Sequence, residues 1–218
     1  MTTRSSASTF RLCVEGNIGS GKTTLLKRLD LDDSLTVVPE PVEEWEKRGF
    51  LRRLYDGTMT VLAFQFIVLC DLVKGWSDVE SESDDGRTPI HERTVWSTQY
   101  VFAKANLTHE DASAFSYAWK KMVEGLPLPD AIVYLRASPQ TCMRRISSRA
   151  RRSESSISTE YLESLHEAHE AWLGRSATTS DGVPVYIVNA EDDETVVHDM
   201  VVSLLKDLHA SKTVLARS

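Results

Sequence analysis

The stretch FRLCVEGNIGSGKTTLLKRL (10–29) decides the fold. Its first part, FRLCVEG (10–16), is a short apolar run that stops at a glycine-rich turn, and the TTLLKRL that follows carries apolar residues at helical spacing. Strand, loop and helix therefore follow one another within twenty residues. The turn between them, Gly16-Asn17-Ile18-Gly19-Ser20-Gly21-Lys22-Thr23, satisfies G-x-x-x-x-G-K-[ST]. Glycines in such a loop let successive backbone N–H groups converge on phosphate oxygens at a helix N-terminus. Lys22 would then neutralise the β- and γ-phosphates of a nucleoside triphosphate, and Thr23, followed by Thr24, would ligate Mg²⁺.

Outward from this loop, apolar runs alternate with helical patterns. LTVVPE (35–40) is a second strand, stopped by Pro39 and Pro41 so that Glu40 stands at its carboxyl end. MTVLAFQFIVLCDLV (59–73) is apolar almost all round, which predicts a helix buried on several sides, by its own sheet and by a second subunit. The acidic SDVESESDDGR (77–87) reads as a solvated loop. TPIHER (88–93) is a third strand, followed by helices over 94–105 and over 108–124, the latter capped by Thr108 with Glu110 and Asp111 in its first turn. DAIVYLRAS (130–138) is the clearest strand, with a helix over 139–150, another over about 159–173, a last strand PVYIVNA (184–190) and an amphipathic helix over 192–209. The alternation predicts an α/β domain of the P-loop NTPase type, a five-stranded parallel sheet with helices on both faces. That domain spans 10–210, between a disordered stub (1–9) and a tail (211–218).

Composition narrows the function. With 218 residues and 41% hydrophobic content, one domain can bury a core without staples. A net charge of -7 points away from a nucleic acid polymer as partner. Cys13, Cys70 and Cys142 lie far apart and match no metal-ligand spacing, so they read as reduced thiols in a cytoplasmic setting. No apolar run reaches the ~18 residues of a membrane span. The opening MTTRSSAST lacks a secretory apolar stretch, and its one arginine leaves a mitochondrial address as the minor alternative.

In a doubly wound sheet, residues just beyond the strand ends share one crevice. Three such ends carry chemistry: the phosphate loop, Glu40, and Glu92-Arg93. Transfer of a phosphoryl group to a hydroxyl leaves a proton to be removed, and Glu40 is the candidate base. Arg93 would hold Glu40 and the reacting oxygens in line, and Glu92 would complete the Mg²⁺ shell directly or through water. Gln65 is a single amide in an otherwise apolar helix, and a ligand edge is a reasonable partner for it, whether thymine or cytosine.

EGNIGSGKTT, EPVEEW, the E-R-T triplet at 92–94, YLRASP and the run from 149 to 173 resemble, in order, the blocks of the deoxynucleoside kinase family. The resemblance covers roughly 10–190. It implies transfer of the γ-phosphoryl group of ATP, with Mg²⁺, to the 5′-hydroxyl of a deoxynucleoside. Glu40 would be the base, with Lys22 and Arg93 beside the reacting oxygens and Glu92 on the metal side. Trp45, Phe64 and Phe102 would line the base pocket, Gln65 would pair with the base edge, and Tyr55 with Glu154 would hold the sugar 3′-hydroxyl. Arg145, Arg149 and Arg151 would belong to an arginine-rich lid over ATP at about 145–155. Where the deoxycytidine kinase branch has an arginine and an aspartate near the base, this chain has Leu72 and Thr98, with Val68 alongside. That points to pyrimidines and a tighter pocket. A homodimer through the helices at 59–73 and 108–124 is also implied.

Rival readings are a thymidylate-kinase-like enzyme, against which EPVEEW and Glu154 argue, and a nucleotide-binding module without catalysis. His166 and His169, three apart, read as part of a charged helix face rather than a metal pair.

Overall fold

A computed structural model describes residues 10–82, 87–149, 151, 154 and 156–215. Five strands, β1 (Leu12–Glu15), β2 (Leu35–Val38), β3 (Thr88–Glu92), β4 (Ala131–Arg136) and β5 (Val185–Asn189), form one sheet in the order β2-β3-β1-β4-β5. Every pairing is parallel, as the alternation predicts, with Val14 opposite Glu92 on one side of β1 and Val133 on the other. The chain places β2 and β3 on one side of β1 and then crosses to β4 on the other. That reversal opens a crevice beyond the carboxyl ends of β1 and β3.

The two-residue period of the strands sorts the core into layers. Leu12, Val14, Val133 and Leu135 face one way and pack with Leu25, Leu26 and Leu29 of α1 (Lys22–Leu29) and with Val197, Val201 and Leu205 of α10 (Glu194–Leu215). Cys13, Ile132 and Tyr134 face the other way, against Val68, Leu69 and Trp76 of α4 (Val61–Glu82) and Phe115 and Trp119 of α7 (His109–Val123). Thr108 caps α7 as expected, accepting from Asp111 N at 3.2 Å.

Three expectations differ from the fold. The apolar helix does not end at 73. Trp76, one turn on, is 1% exposed and donates to Pro127 O at 3.0 Å, so core packing carries α4 through the acidic residues to Glu82. A Lys74–Asp78 pair supports the same extension, while 83–86 lie outside the described residues. The helix expected over 94–105 is α5 (Val95–Ser97), a π-helical segment (Thr98–Ala103) and α6 (Lys104–Asn106). Finally, α10 reaches Leu215, into the segment expected as a tail. The expected stub, 1–9, lies outside the described residues.

The histidine pair also divides. His169, on α9 (Thr159–Leu173), belongs to the core and not to a charged face: it has no exposed surface, stacks on Tyr134 at 5.7 Å, and its Nδ1 pairs with Leu165 O at 2.8 Å. Burial holds its pKa down at about 3, so the ring is neutral. Among the described residues no helix is long and apolar enough to cross a membrane.

Candidate active site

The phosphate loop follows from three glycines that adopt backbone conformations other residues resist. Gly16, Gly19 and Gly21 have φ of 151°, 81° and 105°. At Gly19 a Cβ would also stand 2.7 Å from the Cys142 carbonyl oxygen, on α8 (Pro139–Arg149), so this glycine lets the loop lie against that helix. Lys22 opens α1 and folds back across the loop, its Nζ donating to Gly16 O at 2.8 Å and Asn17 O at 3.0 Å. Asn17 ties the loop to α9 through Leu162 O at 2.8 Å, and Arg145 reaches from α8 to Ser20 O at 3.2 Å.

Beyond β3 the backbone turns sharply. Arg93 has φ of 68°, which costs a non-glycine residue roughly 1–3 kcal/mol. The turn aims its guanidinium at Glu40: Nη1 donates to Glu40 Oε1, and the two side chains are 5% and 13% exposed. The guanidinium also lies over the Phe102 ring, 3.8 Å from its centroid. Its Nη2 is buried without a partner, a donor left over for a further oxygen. Phe102 stands in the π-helical segment, a geometry found often at functional sites.

Thr23 Oγ1 donates to Glu92 Oε1 at 2.7 Å, joining the start of α1 to the end of β3. Burial raises the Glu92 pKa, and the nearby Lys22 ammonium opposes that. A hydroxyl and a carboxylate beside a phosphate loop are hard oxygen donors suited to Mg²⁺, which keeps several waters and takes the rest of its shell from substrate phosphates. Among the described residues no group of three or more His, Cys, Asp and Glu side chains could hold a metal, so a cation here would lean on that substrate contribution.

These groups open into a cavity of about 450 Å³, within the range of small-molecule sites. Its walls include Lys22, Thr23, Thr24, Glu40, Glu92 and Arg93, together with Trp45, Phe64, Gln65, Val68 and Phe102, whose ring lies against the Arg93 guanidinium. Trp45 is on α2 (Val42–Lys47) and meets Phe64 of α4 edge to face at 5.6 Å, while its Nε1 donates to Asp71 at 2.7 Å. Gln65 is 5% exposed, and its Oε1 has no partner in the protein. Tyr55, at the end of α3 (Phe50–Tyr55), also lines the cavity, its pKa pushed up to about 12 by burial and by Tyr161 and Glu154 nearby. Glu154 accepts from Arg149 at 2.7 and 2.5 Å and lies 3.6 Å from Arg151. All three line the cavity, and the remaining expected lid positions 150, 152, 153 and 155 lie outside the described residues.

Most residues singled out in the sequence thus converge, with Gly16, Asn17 and Ser20 forming the loop backbone behind the wall. Two do not. Thr98 has no exposed surface and its hydroxyl donates to Val95 O at 2.7 Å, within its own helical segment. Leu72 faces a separate, smaller cavity beside Trp76 and His91. Of the three positions expected near the base, Val68 is the one on the wall of the larger cavity. Sequence reasoning missed Asn106 and Tyr161. Asn106 Nδ2 donates to Tyr161 OH at 3.0 Å and to Phe102 O at 2.8 Å, fixing the Phe102 backbone to α9. Neither sits in a motif, and only contact between distant helices reveals them. Glu15, last residue of β1 and wholly buried, was also passed over as part of an apolar run.

Comparison with known proteins agrees with this geometry. A family model described as deoxynucleoside kinase matches residues 12–209. A probable deoxycytidine kinase of fowlpox virus is 33% identical over 192 residues, covering 84% of this chain and 80% of that protein. Human mitochondrial thymidine kinase 2 is 31% identical over 190 residues, covering 83% of this chain and 70% of that protein. A solved structure of a deoxyadenosine kinase from M. mycoides with bound dATP matches the fold, with a TM-score of 0.76 at 24% identity over 90% of this chain and 100% of that one. The family match runs from the first strand into the last helix and takes in the phosphate loop, the Glu92-Arg93 turn and the arginine-rich segment, so the chain belongs to the deoxynucleoside kinase family.

Proposed function

We propose that the chain transfers the γ-phosphoryl group of ATP to the 5′-hydroxyl of a pyrimidine deoxyribonucleoside. The observation that carries this reading is the buried Glu40–Arg93 pair, which opens into the same cavity as Lys22 and Thr23 of the phosphate loop. A carboxylate at that place can take the proton of an alcohol as its oxygen attacks the γ-phosphorus, while the bond to the β–γ bridging oxygen breaks and ADP leaves. Arg93 spreads its charge over the reacting oxygens, and its unpartnered Nη2 has a donor to give them. Lys22 answers the charge on the β- and γ-phosphates, with Arg145, Arg149 and Arg151 closing from the lid side. Thr23 and Glu92 would hold Mg²⁺, which when bound neutralises the phosphate oxygens.

Beside the Arg93 guanidinium, Phe102 offers a ring for stacking, and Gln65 on the same cavity wall offers an amide for a base edge. Val68 adds an apolar side chain to the same wall, and the amide of Gln65, with both donors and an acceptor, can serve thymine or cytosine. Tyr55 and Glu154 stand where a sugar 3′-hydroxyl would lie. A homodimer through α4 and α7 accompanies this reading, and Tyr117 of α7 presents an exposed ring (72%) for such a contact. Turnover of the four deoxynucleosides and of thymidine monophosphate with ATP and Mg²⁺ tests the proposal. Thymidine and deoxycytidine are expected to be the better substrates, and phosphorylation of the monophosphate alone would overturn it.

A further inference from the structure

We propose that Glu15 is a positioning residue: buried beneath the Glu92-Arg93-Thr94 turn, its carboxylate holds Arg93 in the left-handed conformation that brings the guanidinium to Glu40. The inference rests on the phosphotransfer reading above and concerns a residue outside the cavity wall.

Glu15 is the last residue of β1 and has no exposed surface, an unusual place for a carboxylate. Its Oε1 accepts from the backbone N–H of Thr94 at 2.6 Å. The neighbouring amide, Arg93 N, donates to Val14 O at 3.0 Å, so β1 grips two successive N–H groups of the turn, one through its backbone and one through this side chain. Thr94 in turn accepts from Ser97 N at 3.1 Å, capping α5, and Ser97 Oγ receives Arg93 Nε at 3.3 Å while donating to Thr94 O at 2.9 Å. The network is closed: the carboxylate fixes Thr94, Thr94 fixes Ser97, and Ser97 steadies the guanidinium. Arg93 is the only described non-glycine residue with positive φ, and a strained residue keeps its conformation only where its surroundings over-determine it. From another strand, Glu15 supplies a side-chain hydrogen bond to that turn's backbone. Its second oxygen, Oε2, has no hydrogen-bond partner, and the nearby positive charge of Arg93 offsets part of the cost of burying the carboxylate.

The test compares Glu15→Ala and Glu15→Gln with the full-length enzyme, alone and in an Arg93→Ala background. Misplacement of a catalytic group by about 1 Å lowers rates roughly 10²-fold, so Glu15→Ala is expected to reduce kcat by about that factor. KM for the nucleoside should stay within about threefold, because the base pocket is untouched. Glu15→Gln keeps an acceptor for Thr94 N–H and should recover kcat to within about fivefold of the parent. In the Arg93→Ala background the further loss from Glu15→Ala should be less than about twofold. Wild-type kcat in Glu15→Ala, an equal loss with and without Arg93, or a rise in the KM for ATP at constant kcat would each overturn the proposal. Should Glu15→Ala not fold, Glu15→Met, which fills the volume without an acceptor, gives the same readout. Absence of turnover by the wild-type protein would instead refute the phosphotransfer reading itself.

Discussion

Replacing Glu40 by Gln separates the chemical role of this carboxylate from its structural one. The change keeps the shape and an oxygen facing Arg93, but it removes the negative charge and any ability to take a proton. Two consequences have separate sizes. A positioned base contributes about 10²–10⁴-fold, so kcat is expected to fall by roughly 10³. Deleting one partner of a buried ion pair costs about 3–5 kcal/mol, and since the amide still accepts a hydrogen bond from Arg93, the loss of stability should be nearer 2 kcal/mol. In a protein of this size that lowers the melting temperature by roughly 4–8 °C. Nucleoside affinity, set by Phe102 and Gln65 on the cavity wall, should change by less than about tenfold. Steady-state turnover of thymidine and deoxycytidine with saturating ATP and Mg²⁺, calorimetric titration of the nucleoside and a thermal melt give the three quantities. A variant that melts earlier yet turns over within tenfold of the parent would refute the reasoning, because Glu40 would then be a support for Arg93 and not the base.

Gln65→Leu should move stability and affinity in opposite directions. With Oε1 buried and unpartnered, loss of the amide relieves about 1–3 kcal/mol and should raise the ligand-free melting temperature, while nucleoside binding weakens by roughly 10- to 100-fold; a destabilised ligand-free variant would contradict this. Acid sensitivity is expected from His169, whose pKa of about 3 lies well below the ordinary histidine value. The unfolded chain then binds the proton first as pH falls, so stability is fully present above pH ~6.5 and is lost progressively toward pH 3, by about 3 kcal/mol at pH 4.5. Buried His91, with a pKa of about 4, acts in the same direction. His169→Phe keeps a ring against Tyr134 and should flatten that loss in denaturant titrations at pH 7 and pH 4.5, and an unchanged pH slope would count against it.

The fold was legible because its determinants are local. A strand, a glycine loop with Lys22 and Thr23 and a helix lie within twenty contiguous residues, and the later strands read as short apolar runs, with β3 and β4 buried along nearly their whole length as a parallel sheet covered on both faces requires. Local signals failed where packing over-rode them. The acidic residues after Val73 look like a loop until Trp76 is seen in the core, and His169 looks like surface until Tyr134 is found stacked upon it. Strand-end chemistry at Glu40, Glu92 and Arg93 was equally readable, since a parallel sheet gathers its carboxyl ends on one side.

What the sequence determined by itself is therefore the kind of chemistry: a triphosphate loop, a carboxylate and an arginine delivered to one crevice by the shared direction of the parallel strands. Only the tertiary structure decided which neighbours complete the site. It put Val68, and not Leu72 or Thr98, on the wall of the larger cavity, added Asn106 and Tyr161, and placed Glu15 beneath Thr94, 79 residues away along the chain. Those contacts join segments whose separation carries no periodic or motif signal, and they exist only because burial forces each polar atom to find a partner wherever the fold has brought one near.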